Sequence, residues 1–178
     1  MVPGPFRLVV MGVSGCGKST VGHLLAGRLG VSFVEGDDLH SAANVAKMAA
    51  GQPLTDEDRA GWLQALSQRL HQAVSQQQGL VVACSALKKS YRDVLRQGAP
   101  DALFVHLQGS AEVLNQRLRQ RTAHYMPPTL LQSQLAILEL PQADESAMTL
   151  DMLMPPEQQC KQVMQYLQTL CPTAVDAT

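Results

Sequence analysis

The chain is poor in aromatic residues: seven among 178, with a single tryptophan. So little ring surface argues against a site that grips a planar base between side chains. Charge of either sign is also nearly balanced, with a formal net charge of −1. No global field therefore draws the protein to nucleic acid or to an anionic membrane, and any recognition by charge has to be local. No apolar run near the start reaches the length of a signal peptide or a membrane span. The four cysteines, at 16, 84, 160 and 171, show no C-x-x-C spacing, and the five histidines form no H-E-x-x-H pattern. These absences lead us to expect a cytoplasmic protein with free thiols and no protein-held zinc.

What is present begins close to the N-terminus. After the apolar run Leu8, Val9, Val10, Met11 comes Gly12-Val13-Ser14-Gly15-Cys16-Gly17-Lys18-Ser19-Thr20, which fills the pattern G-x-x-x-x-G-K-[ST]. Glycines let the backbone curl so that consecutive N–H groups face phosphate oxygens, and the helix opening at Lys18 adds its positive dipole end. Lys18 is suited to reach the β and γ phosphates of ATP, and the Ser19 hydroxyl to hold Mg²⁺. Cys16 should turn its side chain away, because such a loop works through its backbone.

Short apolar segments at 6–12, 31–35, 80–84, 102–107 and, more weakly, 148–152 alternate with helical patterns. The alternation predicts one α/β domain with a parallel sheet covered on both sides. Helices are expected from the phosphate loop to Gly30, from Thr55 or Asp56 with Trp62, Leu63, Leu66, Leu70 and Val74 inward, and over 110–120, 129–139 and 156–170. The single domain spans 1–171, and 172–178 reads as a flexible tail.

In an open parallel sheet ligands gather at the carboxyl ends of the strands. Glu35-Gly36-Asp37-Asp38-Leu39-His40 stands at the end of the second strand. Asp37 is the expected base for an acceptor hydroxyl, with a neighbouring acid supporting Mg²⁺, unless these acids only cap a turn. Arg59 and Trp62 share a helix face. They either grip a small hydroxylated anion or are a surface arginine and a core indole, and spacing does not choose between these. The third strand ends in Cys84-Ser85-Ala86-Leu87-Lys88-Lys89-Ser90-Tyr91-Arg92, with no aspartate at its tip. That weakens a GTPase or motor reading. Lys88 and Arg92 suit the carboxylate of a polyhydroxy acid, or else form an exposed helical turn. Arg117, Arg119 and Arg121 precede His124 and the break at Pro127-Pro128. A helix, a basic turn and a second helix fit a short lid at about 121–128 that brings arginine over a transferring phosphoryl group.

Taken together, MGVSGCGKST, EGDDLH, GQPLTDEDRAGWL, CSALKKSYRD and HYMPPTLLQSQLAILELP resemble the successive motifs of the gluconokinase family of small phosphate-loop kinases. The resemblance runs from about residue 8 to 141. It implies a three-layer αβα phosphate-loop NTPase fold with a five-stranded parallel sheet and a helical lid, similar to shikimate and nucleoside monophosphate kinases, commonly as a homodimer. The implied reaction is phosphorylation of D-gluconate at its C6 hydroxyl by ATP, with Mg²⁺, feeding the pentose phosphate route. By the same resemblance residues 12–20 hold the nucleotide, Lys18, Asp37 and Arg121 are catalytic, and His40, Arg59, Lys88, Arg92 and His124 join Asp37 at the substrate. The alternatives are a kinase for a shikimate-like acid or a nucleotide, and an ATP-binding module without catalysis.

Overall fold

The computed structural model describes residues 5–120 and 128–170. Five strands, β1 (Arg7–Met11), β2 (Ser32–Glu35), β3 (Leu80–Ala83), β4 (Leu103–Gln108) and β5 (Ala147–Asp151), form one sheet in the order β2-β3-β1-β4-β5. Every pairing is parallel. The strand that precedes the phosphate loop is thus the middle one, and Leu8, Val9, Val10 and Met11 are fully buried. A central parallel strand is apolar throughout because helices cover both of its faces.

Among the described residues seven α-helices connect and cover the strands: α1 (Lys18–Leu29), α2 (Ala42–Ala49), α3 (Asp56–Ser75), α4 (Lys89–Gly98), α5 (Ala111–Gln120), α6 (Pro128–Ile137) and α7 (Pro156–Leu170). Helix α1 ends where the sequence places it, with Gly30 in the left-handed conformation and its N–H on the carbonyls of Ala26 and Gly27. Helix α3 opens with a capping box: Asp58 N–H donates to Thr55 Oγ1, and Thr55 N–H donates to the Asp58 carboxylate. Its face of Trp62, Leu63, Leu66 and Leu70 is buried against the sheet and α4, as the periodicity predicts, with Val74 partly buried.

One boundary differs in an informative way. The expected helix over 129–139 stops at Ile137. Glu139 leaves the helical path to donate its N–H to Leu87 O at 2.8 Å and to accept Lys89 N–H on its carboxylate at 2.6 Å. Two tertiary bonds replace the last helical turn and fasten the end of α6 to the loop after β3. The described cysteines, 16, 84 and 160, are all buried and free, and burial pushes the Cys84 thiol up to about 12. Among the described residues no helix is long and apolar enough to cross a membrane.

Candidate active site

The phosphate loop leaves β1 through three glycines at positive φ, Gly12, Gly15 and Gly17. At Gly12 a side chain is excluded twice over: φ is +143°, and a Cβ would lie 2.8 Å from Leu107 O. Gly17, left-handed, begins α1 without a side-chain cap, and no acid stands in the first turn of that helix. No acid of the helix itself therefore competes for its leading N–H groups and dipole, which face the loop. Cys16 is 1% exposed and turned inward. Lys18 Nζ donates to Val13 O at 3.1 Å. Ser19 Oγ donates to the carboxylate of Glu35 at the tip of β2.

A cleft opens on one side of this loop. Ser14, Lys18, Asp37, His40, Arg59, Trp62, Ser85 and Gln134 line it, with Met48, Leu54 and Leu130 supplying apolar wall. Asp37 sits in a 3₁₀ turn, Gly36–Leu39, directly after β2. Trp62 Nε1–H donates to Gly36 O at 2.7 Å, so the indole pins that turn to α3. The His40 ring stacks on Trp62 with centroids 4.2 Å apart, and its Nε2 lies 4.0 Å from Asp37. Burial lowers the His40 pKa, with Asp37 opposing and Arg59 adding to the shift. A neutral imidazole beside the Asp37 carboxylate follows. Arg59, 8% exposed, is held through Nη1 by Leu54 O and by the Tyr91 hydroxyl at 3.4 Å. Trp62 is thus core and cleft wall at once, and Arg59 is a buried arginine facing the cleft, not a surface one.

A second cleft lies on the opposite side of the loop. Gly15, Cys16, Gly17 and Thr20 form its floor, and Arg117, Gln120, Met152, Pro156 and Gln159 its walls. Arg117 Nη2 donates to Met152 O at 3.1 Å, and Gln159 Nε2 to Asp151 O at 2.8 Å. The phosphate loop accordingly forms a partition between two concave sites. That is the arrangement phosphoryl transfer between two bound molecules requires.

Ser19 and Glu35 fit Mg²⁺: a hydroxyl and a carboxylate in contact supply hard oxygen ligands at the edge of the phosphate loop. Among the described residues there is no cluster of three or more His, Cys, Asp or Glu side chains suited to a metal. Mg²⁺ tolerates this, because phosphates and water complete its shell.

The sequence matches the family model described as shikimate kinase over residues 14–167. It is 54% identical over 141 residues to a gluconokinase of Gluconobacter oxydans (strain 621H), an alignment covering 79% of each chain. The chain belongs to the gluconokinase family. Among solved structures, a gluconokinase from Sinorhizobium meliloti 1021 superimposes with a TM-score of 0.84 at 46% identity, covering 93% of both chains. A sugar kinase from Janibacter sp. HTCC2649 does so with a TM-score of 0.88 at 47% identity, covering 92% of this chain and 94% of the other.

Within this gluconokinase-family site, the catalytic and substrate residues expected from sequence divide into four groups. Lys18, Asp37, His40 and Arg59 meet in the first cleft. Lys88 stands behind it: Nζ donates to both Asp56 carboxylate oxygens at 2.9 Å, and Asp56 also accepts the Tyr91 hydroxyl. These two partners, Tyr91 first, hold the Asp56 carboxyl below its usual range, and Asp56 raises Lys88 in turn. Arg92 corrects both expectations held for it, since it is neither a cleft residue nor an exposed turn. Its side chain is 0% exposed. Nε and Nη2 donate to Glu145 at 2.6 and 2.8 Å, and Nη1 donates to Ala86 O, Leu87 O and Glu139 O at 3.0, 3.2 and 3.0 Å. Arg92 thereby supports the turn at Ala86, a non-glycine residue at φ +45°, next to the cleft residue Ser85. Arg121, His124 and the lid at 121–128 fall on or within 121–127 and the side chain of residue 128, outside the described residues.

Sequence reasoning missed Gln134, and no motif around residues 151–156 reveals the second cleft. Helical spacing puts Arg117 on one face with Arg121, apart from Arg119, and does not point to the second cleft. The available signal for the second cleft was position: residues 152–156 follow β5, and the carboxyl ends of all five strands face the ligand edge.

Proposed function

We propose that this chain transfers the γ phosphoryl group of ATP to the C6 hydroxyl of D-gluconate, giving 6-phospho-D-gluconate and ADP. The observation that carries the reading is the phosphate loop standing between two clefts, one of them bearing Asp37 and Arg59 together. The second cleft takes the nucleoside, with the Arg117 guanidinium and Met152 against the base. The first takes gluconate, with its carboxylate toward Arg59 and its hydroxyls toward Ser85, Ser133 and Gln134.

In the transfer, the C6 oxygen attacks the γ phosphorus in line with the bond to the β,γ-bridging oxygen. The new O–P bond forms as the old one breaks, ADP departs with that electron pair, and Asp37 accepts or orients the hydroxyl proton. Lys18 supplies positive charge to the moving phosphoryl group. Ser19, with Glu35 beside it, would hold Mg²⁺, which when bound would supply positive charge to the phosphate oxygens. The roles of Arg121 and His124 at a lid over 121–128, the homodimeric assembly, the cytoplasmic location and the place in the pentose phosphate route belong to the same reading and rest on the family resemblance.

The test is ADP release with ATP and Mg²⁺ across gluconate, its C5 epimer, shikimate and nucleoside monophosphates. Turnover with gluconate well above the others is the expected result. Preference for another acceptor would reassign the first cleft, and ATP binding without acceptor-dependent turnover would make the protein a binding module.

A further inference from the structure

The peptide unit joining Val13 to Ser14 is held at both ends. Its oxygen accepts from Lys18 Nζ at 3.1 Å and from Cys16 N–H at 3.3 Å. Its N–H donates to Gln134 Oε1 at 2.7 Å. Gln134 is 120 residues away along the chain, on α6, and it lines the first cleft together with Ser14 and Lys18.

Helix α6 is fastened at its far end as well. Glu139, just beyond it, bonds to Leu87 O and Lys89 N–H. The same loop returns to the phosphate loop, because Gly12 N–H donates to Ser85 O at 3.2 Å. The loop after β1, the loop after β3 and α6 therefore form a closed circuit, and Gln134 is its one side-chain link to the phosphate loop among these bonds.

We propose that Gln134 is a positioning residue that couples the nucleotide site to the acceptor cleft by exchanging the Ser14 N–H. This rests on the phosphoryl-transfer reading given above. The Ser14 amide has one hydrogen to donate. A neutral carboxamide oxygen holds it, and an anionic phosphoryl oxygen at the same loop is the stronger acceptor. When the γ phosphoryl takes that hydrogen, the Gln134 carboxamide is released into the cleft it lines, with one acceptor and two donors for hydroxyls of a polyhydroxy acid. Nucleotide then favours acceptor binding, and by linkage the acceptor tightens nucleotide binding by the same factor.

The experiment is calorimetric titration of a non-hydrolysable ATP analogue with Mg²⁺, with and without saturating gluconate, on the wild-type chain, Gln134→Ala and Gln134→Glu. The wild type is expected to bind the analogue at least about fivefold tighter when gluconate is present. Gln134→Ala removes the competitor for the Ser14 N–H. It should bind the analogue alone more tightly than wild type, with the gluconate effect collapsing toward unity. Gln134→Glu keeps an acceptor on that N–H and adds negative charge beside the phosphoryl group, so it should bind the analogue alone about tenfold or more weakly. Opposite signs in the two variants distinguish an exchanged hydrogen bond from loss of local structure, which would weaken both.

A shift of the same sign in both variants, or a wild-type gluconate effect preserved in Gln134→Ala, overturns the proposal. A wild-type chain that phosphorylates gluconate but shows no coupling overturns it while leaving the kinase reading intact. A wild-type chain that neither binds nor phosphorylates gluconate overturns both.

Discussion

Replacing Glu145 by glutamine separates two roles for Arg92, a strut inside the fold and a contact for the acceptor. Glu145 accepts Arg92 through both carboxylate oxygens and Arg96 through one, and its side chain is 1% exposed against 0% for Arg92. The Arg92 hydrogen bonds, chiefly, hold the Glu145 carboxyl down at about 2. Glutamine keeps the shape and removes the anion, which leaves a buried guanidinium without a counter-charge. Breaking a buried pair in this way costs about 3–5 kcal/mol. For a chain of this size each kcal/mol moves the melting midpoint by about 2–4 °C, so the variant should melt about 6–20 °C lower. Urea unfolding at neutral pH measures the loss. Gluconate KM, taken well below the variant's midpoint, should stay close to wild type, because Arg92 donates into protein carbonyls and not into the cleft. A loss under about 1 kcal/mol would mean that water already solvates the guanidinium. A large rise in KM with stability intact would return Arg92 to the acceptor, and the assignment made here would be wrong.

Lys18→Ala should lower kcat by roughly 10² or more while the chain still folds, since only the transferring phosphoryl loses its cation; near-normal turnover would remove Lys18 from the chemistry. Arg59→Ala should chiefly raise the gluconate KM, with kcat less affected, and an unchanged KM would place the acceptor carboxylate elsewhere. Stability should fall with acid in two stages. His106, 1% exposed on β4, is lowered to about 4 by burial and by Arg92, so the unfolded chain takes up its proton first and stability drops as pH falls from about 6.5 toward 4. Glu145, also lowered, adds its own loss from about 4.5 toward 2. His106→Gln should make the upper stage shallower in urea midpoints measured across that range, leaving the share of His40, which burial also lowers; an unchanged slope would remove His106 from that stage.

Much of this was legible because it depends on local rules. Alternating apolar segments and helical patterns located the five strands, and the glycines of residues 12–17 announced a loop that no other residue type could form. Position after β2 put Asp37 at the cleft, since the carboxyl edge of a parallel sheet collects ligands wherever the strand lies in the order. Arg92 was misread because a helical basic residue near a ligand edge looks the same in sequence whether it faces solvent, ligand or a carboxylate 53 residues later. Its partner Glu145 lies in a loop with no periodicity to reveal it. Gln134 carries no charge and matches no phosphate-loop pattern, and its bond to Ser14 spans 120 residues. The second cleft draws on residues from both ends of the chain, so only the folded sheet assembles it.

The distribution of charge around the first cleft also bears on which acceptors it admits. Arg59 and Lys18 line the cleft, and Lys18 belongs to the phosphate loop. Lys88, the next cation, is neutralised by Asp56. Among the described residues one guanidinium of the cleft is therefore left for the acceptor, which suits a monoanion such as a sugar acid better than a doubly charged nucleoside monophosphate. The same arithmetic favours release of product: phosphorylation adds negative charge to a molecule that, among the described residues, has a single fixed cation to hold it once ADP and the phosphate-loop contacts are gone. Asp56→Asn tests this, because it frees Lys88 beside Tyr91 and Arg59 without touching a cleft residue. Inhibition by 6-phosphogluconate should become stronger while the gluconate KM changes little, and the difference should shrink as salt is raised, as expected for a charge at a partly exposed site. If product inhibition is unaffected at low salt, Lys88 is too far from the bound product to matter, and Asp56 serves only to start α3.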